Sequence, residues 1–158
     1  MDNVPGFDTL SKMSDQDLTN IFGVRDFFTY ELDFSGIAAA GGTAQATFNV
    51  QSDSNFLWQY GCYSANIAHA AQTNDTRVFP EISVLIQDSS SGRQLMSAPV
   101  PVTSIFGYGS LPFLLPTARF FRAQTQVVVS VTNNDAANAI NLQLSFIGTK
   151  FFKFAQSL

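Results

Sequence analysis

Chemistry in this chain would have to start from one histidine, one cysteine and a dozen dispersed carboxylates. His69 stands alone in Asn66-Ile67-Ala68-His69-Ala70, and Cys62 lies in an apolar, strand-like run over residues 56–63. Acid–base or nucleophilic catalysis needs such a group within hydrogen-bond reach of a partner. A zinc centre using both would still need at least one carboxylate. With a single cysteine there is no intrachain disulfide and no cysteine-based zinc site. Asp33, Asp53, Asp75, Glu81, Asp88 and Asp135 are scattered, and no Asp-x-Asp-x-Asp-Gly loop marks a calcium site. Asp53 and Asp88, both at strand ends, could face each other across a groove as a glycosidase requires only if the fold happened to bring them together. The pattern therefore assigns no catalytic, cofactor-binding or metal-binding residue, and the chain reads as a non-enzyme.

Two sets of residues suit binding better than catalysis. Trp58 with Tyr60 or Tyr63 could form an aromatic platform for a sugar, although packing in the core explains Trp58 as well. Arg93, and Arg119 with Arg122 around Phe120-Phe121, are of the type that forms ion pairs at interfaces. Solvated turn positions explain Arg93 equally. Charge is scarce, 12 acidic and 8 basic residues for a net of −4, and the basic ones are dispersed. A nucleic-acid binder needs a cation for each phosphate it neutralises, so no nucleic-acid partner is expected. The apolar runs are too short to span a bilayer, so no membrane partner is expected either. The opening Met-Asp-Asn-Val-Pro-Gly lacks the positive region and apolar stretch of a secretory signal.

The elements that would hold these residues are mostly strands. Apolar and polar residues alternate at Phe28, Tyr30, Leu32, Phe34, at Ala44, Ala46, Phe48, Val50, and at Phe56, Trp58, Tyr60, Cys62. The same period recurs at Ile82, Val84, Ile86, at Val127, Val129, Val131, and at Ile140, Leu142, Leu144, Phe146. A period of two marks strands with one buried face. Between residues 93 and 114 the pieces are short, and Pro99, Pro101, Pro112 and Pro116 confine them to edges or loops, because proline cannot donate to a ladder. About eight strands with turn signals between them predict an all-β antiparallel sandwich, most simply a jelly roll. An immunoglobulin-type sandwich lacks its pair of cysteines flanking a tryptophan. Phe48, Trp58, Val84, Ile86, Val129, Val131, Leu142 and Leu144 are the expected inward residues.

Residues 1–25 differ from the sandwich domain, 26–158. They form an amino-terminal arm in which Ser14 can cap a short helix that stops at Gly23. Leu18, Ile21 and Phe22 would share one face of it. Two turns of helix are unstable alone, so this face should dock on something. Sixteen phenylalanines are far more than a chain of 158 residues usually carries, and rings left outside the core need a partner to cover them. At the carboxy terminus, Phe151-Phe152-Lys153-Phe154 cannot point all its rings into one core. Phe151 is expected to face a partner, with Phe154 beside it and with Phe106 and Phe113 marking the alternative interface.

The run Ser91-Gly92-Arg93-Gln94-Leu95-Met96, then Pro99-Val100-Pro101, Ile105-Phe106-Gly107, Leu111-Pro112-Phe113 and Leu115-Pro116, resembles a group of small virion proteins of tailed bacteriophages. So does the ending Leu142-Gln143-Leu144-Ser145-Phe146-Ile147-Gly148-Thr149-Lys150. The likeness covers about residues 27–153. It implies a virion structural protein, several such jelly rolls being capsid cement or decoration proteins that clamp major capsid subunits. The implied partners are the major capsid protein or other virion proteins, with assembly as a homo-oligomer, and the implied location is the capsid surface after synthesis in the host cytoplasm. A neck or tail component, such as a collar or fibre adaptor, is the alternative, and a carbohydrate-binding module is another.

Overall fold

Alternation becomes strands wherever the sequence shows it. The computed structural model describes Ser14, residues 24–69, Ala71 and residues 76–152. In chain order the strands are β1 (Arg25–Ile37), β2 (Gly42–Asn49), β3 (Ser54–Ile67), β4 (Ile82–Asp88), β5 (Arg93–Gln94), β6 (Val100–Pro101), β7 (Phe113–Phe121), β8 (Gln126–Asn133) and β9 (Ile140–Phe152). Val102–Ser104 form a 3-10 turn. The amino-terminal arm and its helix, with Leu18, Ile21 and Phe22, lie outside the described residues, as does Phe154.

Two antiparallel sheets result, ordered β1-β9-β3-β7 and β2-β8-β4-β5, with β6 also paired to β4. The pairings are nested: β1 with β9, β2 with β8, β3 with β7, and β4 with β5 and β6. The chain thus runs as one long antiparallel ribbon whose successive pairs fall alternately in the two sheets. Both inner faces feed one core, and all eight residues expected to point inward are buried in it. Proline sits where its missing donor costs least, Pro101 in β6 and Pro116 in β7, a strand at the edge of its sheet.

The core absorbs much of the phenylalanine surplus. Phe146 lies between Phe48, Trp58 and Phe106, with ring centroids 4.9, 4.7 and 5.3 Å away, and Tyr30 stacks on Phe48 at 4.6 Å. Such pairs add about 0.5–1.5 kcal/mol each beyond their burial. Phe106 fits because Gly61 faces it: a Cβ there would sit 2.8 Å from the Phe106 ring and 2.6 Å from the Ile105 carbonyl oxygen. Among the described residues only Phe27 and Phe79 of the phenylalanines are exposed.

Two expectations about interface residues are corrected here. Phe106 is fully buried in the core rather than available to a partner. Phe151 is 1% exposed: it belongs to a second cluster, with Leu57 and Ala118 buried and Phe120 packed against them. Leu57 and Phe151 sit on the face of the β1-β9-β3-β7 sheet opposite the main core. An alternation argument gives Phe151 the correct face but wrongly equates that face with solvent. Phe113 is half-buried.

Candidate interaction surface

A bulge in β3 decides which aromatics reach the surface. Against β9, Trp58 pairs with Gly148 and Tyr60 with the next residue, Ile147, so one extra residue, Gln59, reverses the alternation of β3; the β7 register shifts at the same place. Phe56 and Trp58 point inward before it, and Tyr63 and Ala65 do so after it. Tyr60 and Cys62 are consequently turned away from the core that simple alternation assigned them. Trp58 is 2% exposed and its indole N–H donates to the Tyr60 carbonyl at 2.6 Å, so it cannot serve in a sugar platform.

Beyond Gly61, β7 no longer accompanies β3, and loops take its place. Gly107 N–H donates to the Gly61 carbonyl at 2.9 Å, and Tyr63 N–H donates to the Gly107 carbonyl at 2.7 Å. Further along, Arg77 bridges Asn66. The two loops present side chains that nothing in the described chain covers. Phe79 and Tyr108 meet edge to face with centroids 6.4 Å apart, Tyr108 bridges Leu111, and Tyr60 stands opposite Leu114 in the β3–β7 register. These five residues are 40–79% exposed, and they make up five of the seven exposed large apolar residues among those described. Exposed apolar residues gathered as a strip along one edge in this way suit a contact surface. A cavity of about 560 Å³ opens beside it, lined by Cys62, Tyr63, Arg77, Phe79, Tyr108 and Ser145 among others.

The residues able to do chemistry are not assembled. Among the described residues no group of three or more His, Cys, Asp or Glu side chains gathers. His69 is exposed beyond the end of β3, with backbone φ of 68°. The Cys62 thiol is pushed up by burial and then by the nearby Glu31 carboxylate, which keeps it protonated rather than nucleophilic. Asp53 accepts a hydrogen bond from Ser54 Oγ at 3.0 Å. Asp88 accepts from the backbone N–H of Ser90 and Ser91 and from Ser91 Oγ, at 2.9, 3.2 and 2.9 Å. Each carboxylate is occupied in shaping its own turn.

Among the described residues, Lys150 is the one buried charge. It is 2% exposed, its ammonium donates to Gln51 Oε1, and it lies 3.5 Å from the centre of the Phe28 ring. Burial pulls its pKa below the ordinary lysine value, with Asp53 opposing. Comparison with family models, with characterised proteins and with solved structures found no match. No helix among the described residues is long and apolar enough to cross a membrane.

Proposed function

We propose that this chain is a bacteriophage virion structural protein: a capsid cement or decoration protein that assembles as a homo-oligomer and clamps neighbouring major capsid subunits at the capsid surface. The observation that carries the proposal is that Tyr60, Phe79, Tyr108, Leu111 and Leu114, five of the seven exposed large apolar residues among those described, fall on β3, β7 and the loops beside them. A surface of that composition gains by being covered, at about 25 cal/mol per Å² of apolar area. The strip also overlaps the proline-punctuated stretch whose wording resembles the virion proteins. A jelly roll is the matching fold. Its support is the nested pairing of β1 with β9, β2 with β8 and β3 with β7, completed by β4 with the interrupted β5 and β6.

Counting copies in purified virions tests the proposal and separates it from the collar or adaptor alternative. A cement protein should approach the major capsid protein in number. A copy number of a dozen or so per particle would move the protein to the neck or tail, and its absence from particles would overturn the virion assignment altogether.

A further inference from the structure

Three of the chain's five arginines line one cleft, against a single carboxylate. The cleft, about 620 Å³, lies at the open edge between the two sheets, bounded by β7 and the turn that follows it on one side and by the β4–β5 turn on the other. Arg119 stands opposite Trp58 in the β3–β7 register and so shares its inner face, but at the sheet's edge, where it is exposed. Arg122 follows in the next turn, Arg93 comes across from β5, and Phe121 lies between them as an apolar floor. Asp88, the one acidic residue in the lining, stands opposite Arg93 in the β4–β5 register and accepts the Ser90 and Ser91 hydrogen bonds of its own turn, so the lining keeps two net positive charges. Among the described residues none of the three guanidinium groups has an ion-pair partner. One inward charge suffices to guard an edge strand against strand addition. Three guanidiniums against one carboxylate, around an apolar floor, exceed that need and fit further carboxylates, which they can bind in bidentate fashion.

The chain itself supplies acid of the required kind. Residues 1–23 contain Asp2, Asp8, Asp15 and Asp17 against the single Lys12, so three of the four net negative charges fall there. Leu10, Leu18, Ile21 and Phe22 are interspersed with them, as an apolar floor would favour. The segment also leaves the domain at the right end. Arg25, Phe151 and Asn55 lie side by side across β1, β9 and β3, and Asn55 Oδ1 accepts from the Ala123 N–H at 2.9 Å, next to Arg122. The first residue of β1 is thus about 14 Å, or three strand spacings, from the cleft. Twenty-three residues can extend to roughly 75 Å, enough to reach the same cleft on an adjacent molecule.

We propose that this arginine cleft is the docking site for the acidic amino-terminal segment of a second copy of the chain. Each molecule then carries both halves of a head-to-tail contact, which closes into a ring if its rotation allows. The proposal concerns the isolated protein and stands apart from the virion reading, since either can fail while the other holds.

Sedimentation equilibrium of the full-length chain tests it, with a charge swap. Wild type should self-associate, and more weakly at about 500 mM salt than at about 50 mM. Arg93→Glu/Arg119→Glu/Arg122→Glu should raise the dissociation constant by roughly tenfold or more, as should Asp8→Lys/Asp15→Lys/Asp17→Lys. Mixing the two variants, or combining all six changes in one chain, should restore association. If the glutamate variant fails to fold, Arg→Gln at the same three positions should still weaken association. A monomeric wild type, variants that associate like wild type, or a combined variant that stays dissociated would each overturn the proposal.

Discussion

Lys150 is a buried ammonium held by one amide oxygen and the faces of the Phe28 and Tyr30 rings. Its folded-state pKa is depressed, whereas in the unfolded chain it titrates near the ordinary value of 10.5. Between those two pH values the unfolded state binds more protons, so this residue makes stability rise with pH through that window and leaves it lower below. A hydrophobic residue of similar length avoids the desolvation, and Gln51, being exposed, can return its carbonyl to water. Lost cation–π attraction, about 0.5–2 kcal/mol, works against the gain. Lys150→Met should therefore leave stability at pH 7 within about 1 kcal/mol of wild type, and abolish its share of the alkaline rise. Urea unfolding of both proteins from pH 7 to 10.5 measures this, the difference between the two curves removing the contribution of Tyr30, whose buried phenol is shifted upward. A loss above about 2 kcal/mol at pH 7 would mean that the ring and the amide more than offset the burial.

At the scale of elements, the sequence declares its strands and hides their irregularities. Strands β1, β2, β4, β8 and β9 follow directly from alternation, and the eight inward residues chosen from it are buried. The Gln59 bulge is invisible in composition, because nothing about a glutamine announces that the alternation reverses there. For that reason simple alternation with Trp58 puts Tyr60 and Cys62 on the wrong face. Strand β7 runs to Phe121 rather than ending near Leu114, its alternation obscured by Pro116 and by Phe120-Phe121, which pack on opposite faces. The outer face of β9 is equally unreadable, since an amphipathic strand gives no hint that both faces are buried at one end. Phe151→Ser should accordingly destabilise the domain by about 3–5 kcal/mol, through the loss of a buried ring beside Leu57 and Ala118. Thermal unfolding is the measurement, and an unchanged midpoint would return Phe151 to the surface where simple alternation put it.

Over the whole molecule, a double-sheet core rich in packed rings supplies rigidity, and the loops at one sheet edge carry the exposed apolar strip. The surplus of phenylalanine proved to be mainly a packing feature: Phe48, Phe56, Phe106, Phe121 and Phe146 lie in one cluster. The exposed strip instead mixes two tyrosines, two leucines and Phe79. Exposure of this kind depends on where β7 leaves β3 and which loops fill in, which no residue type records. The motif stretch around Phe106–Phe113 located the region, but the residues reaching solvent are its neighbours Tyr108, Leu111 and Leu114. Leu111 and Leu114, 66% and 61% exposed, are the best place to test whether the strip attaches the protein to a capsid, because changing them should not disturb the core. The decisive measurement is occupancy on particles lacking the protein, comparing wild type with Leu111→Ser/Leu114→Ser at equal concentration. The account predicts an unchanged unfolding midpoint and a loss of affinity of roughly tenfold or more, since each anchor is worth on the order of 1–2 kcal/mol when buried. Equal occupancy of the two proteins, or no binding by wild type, would contradict it.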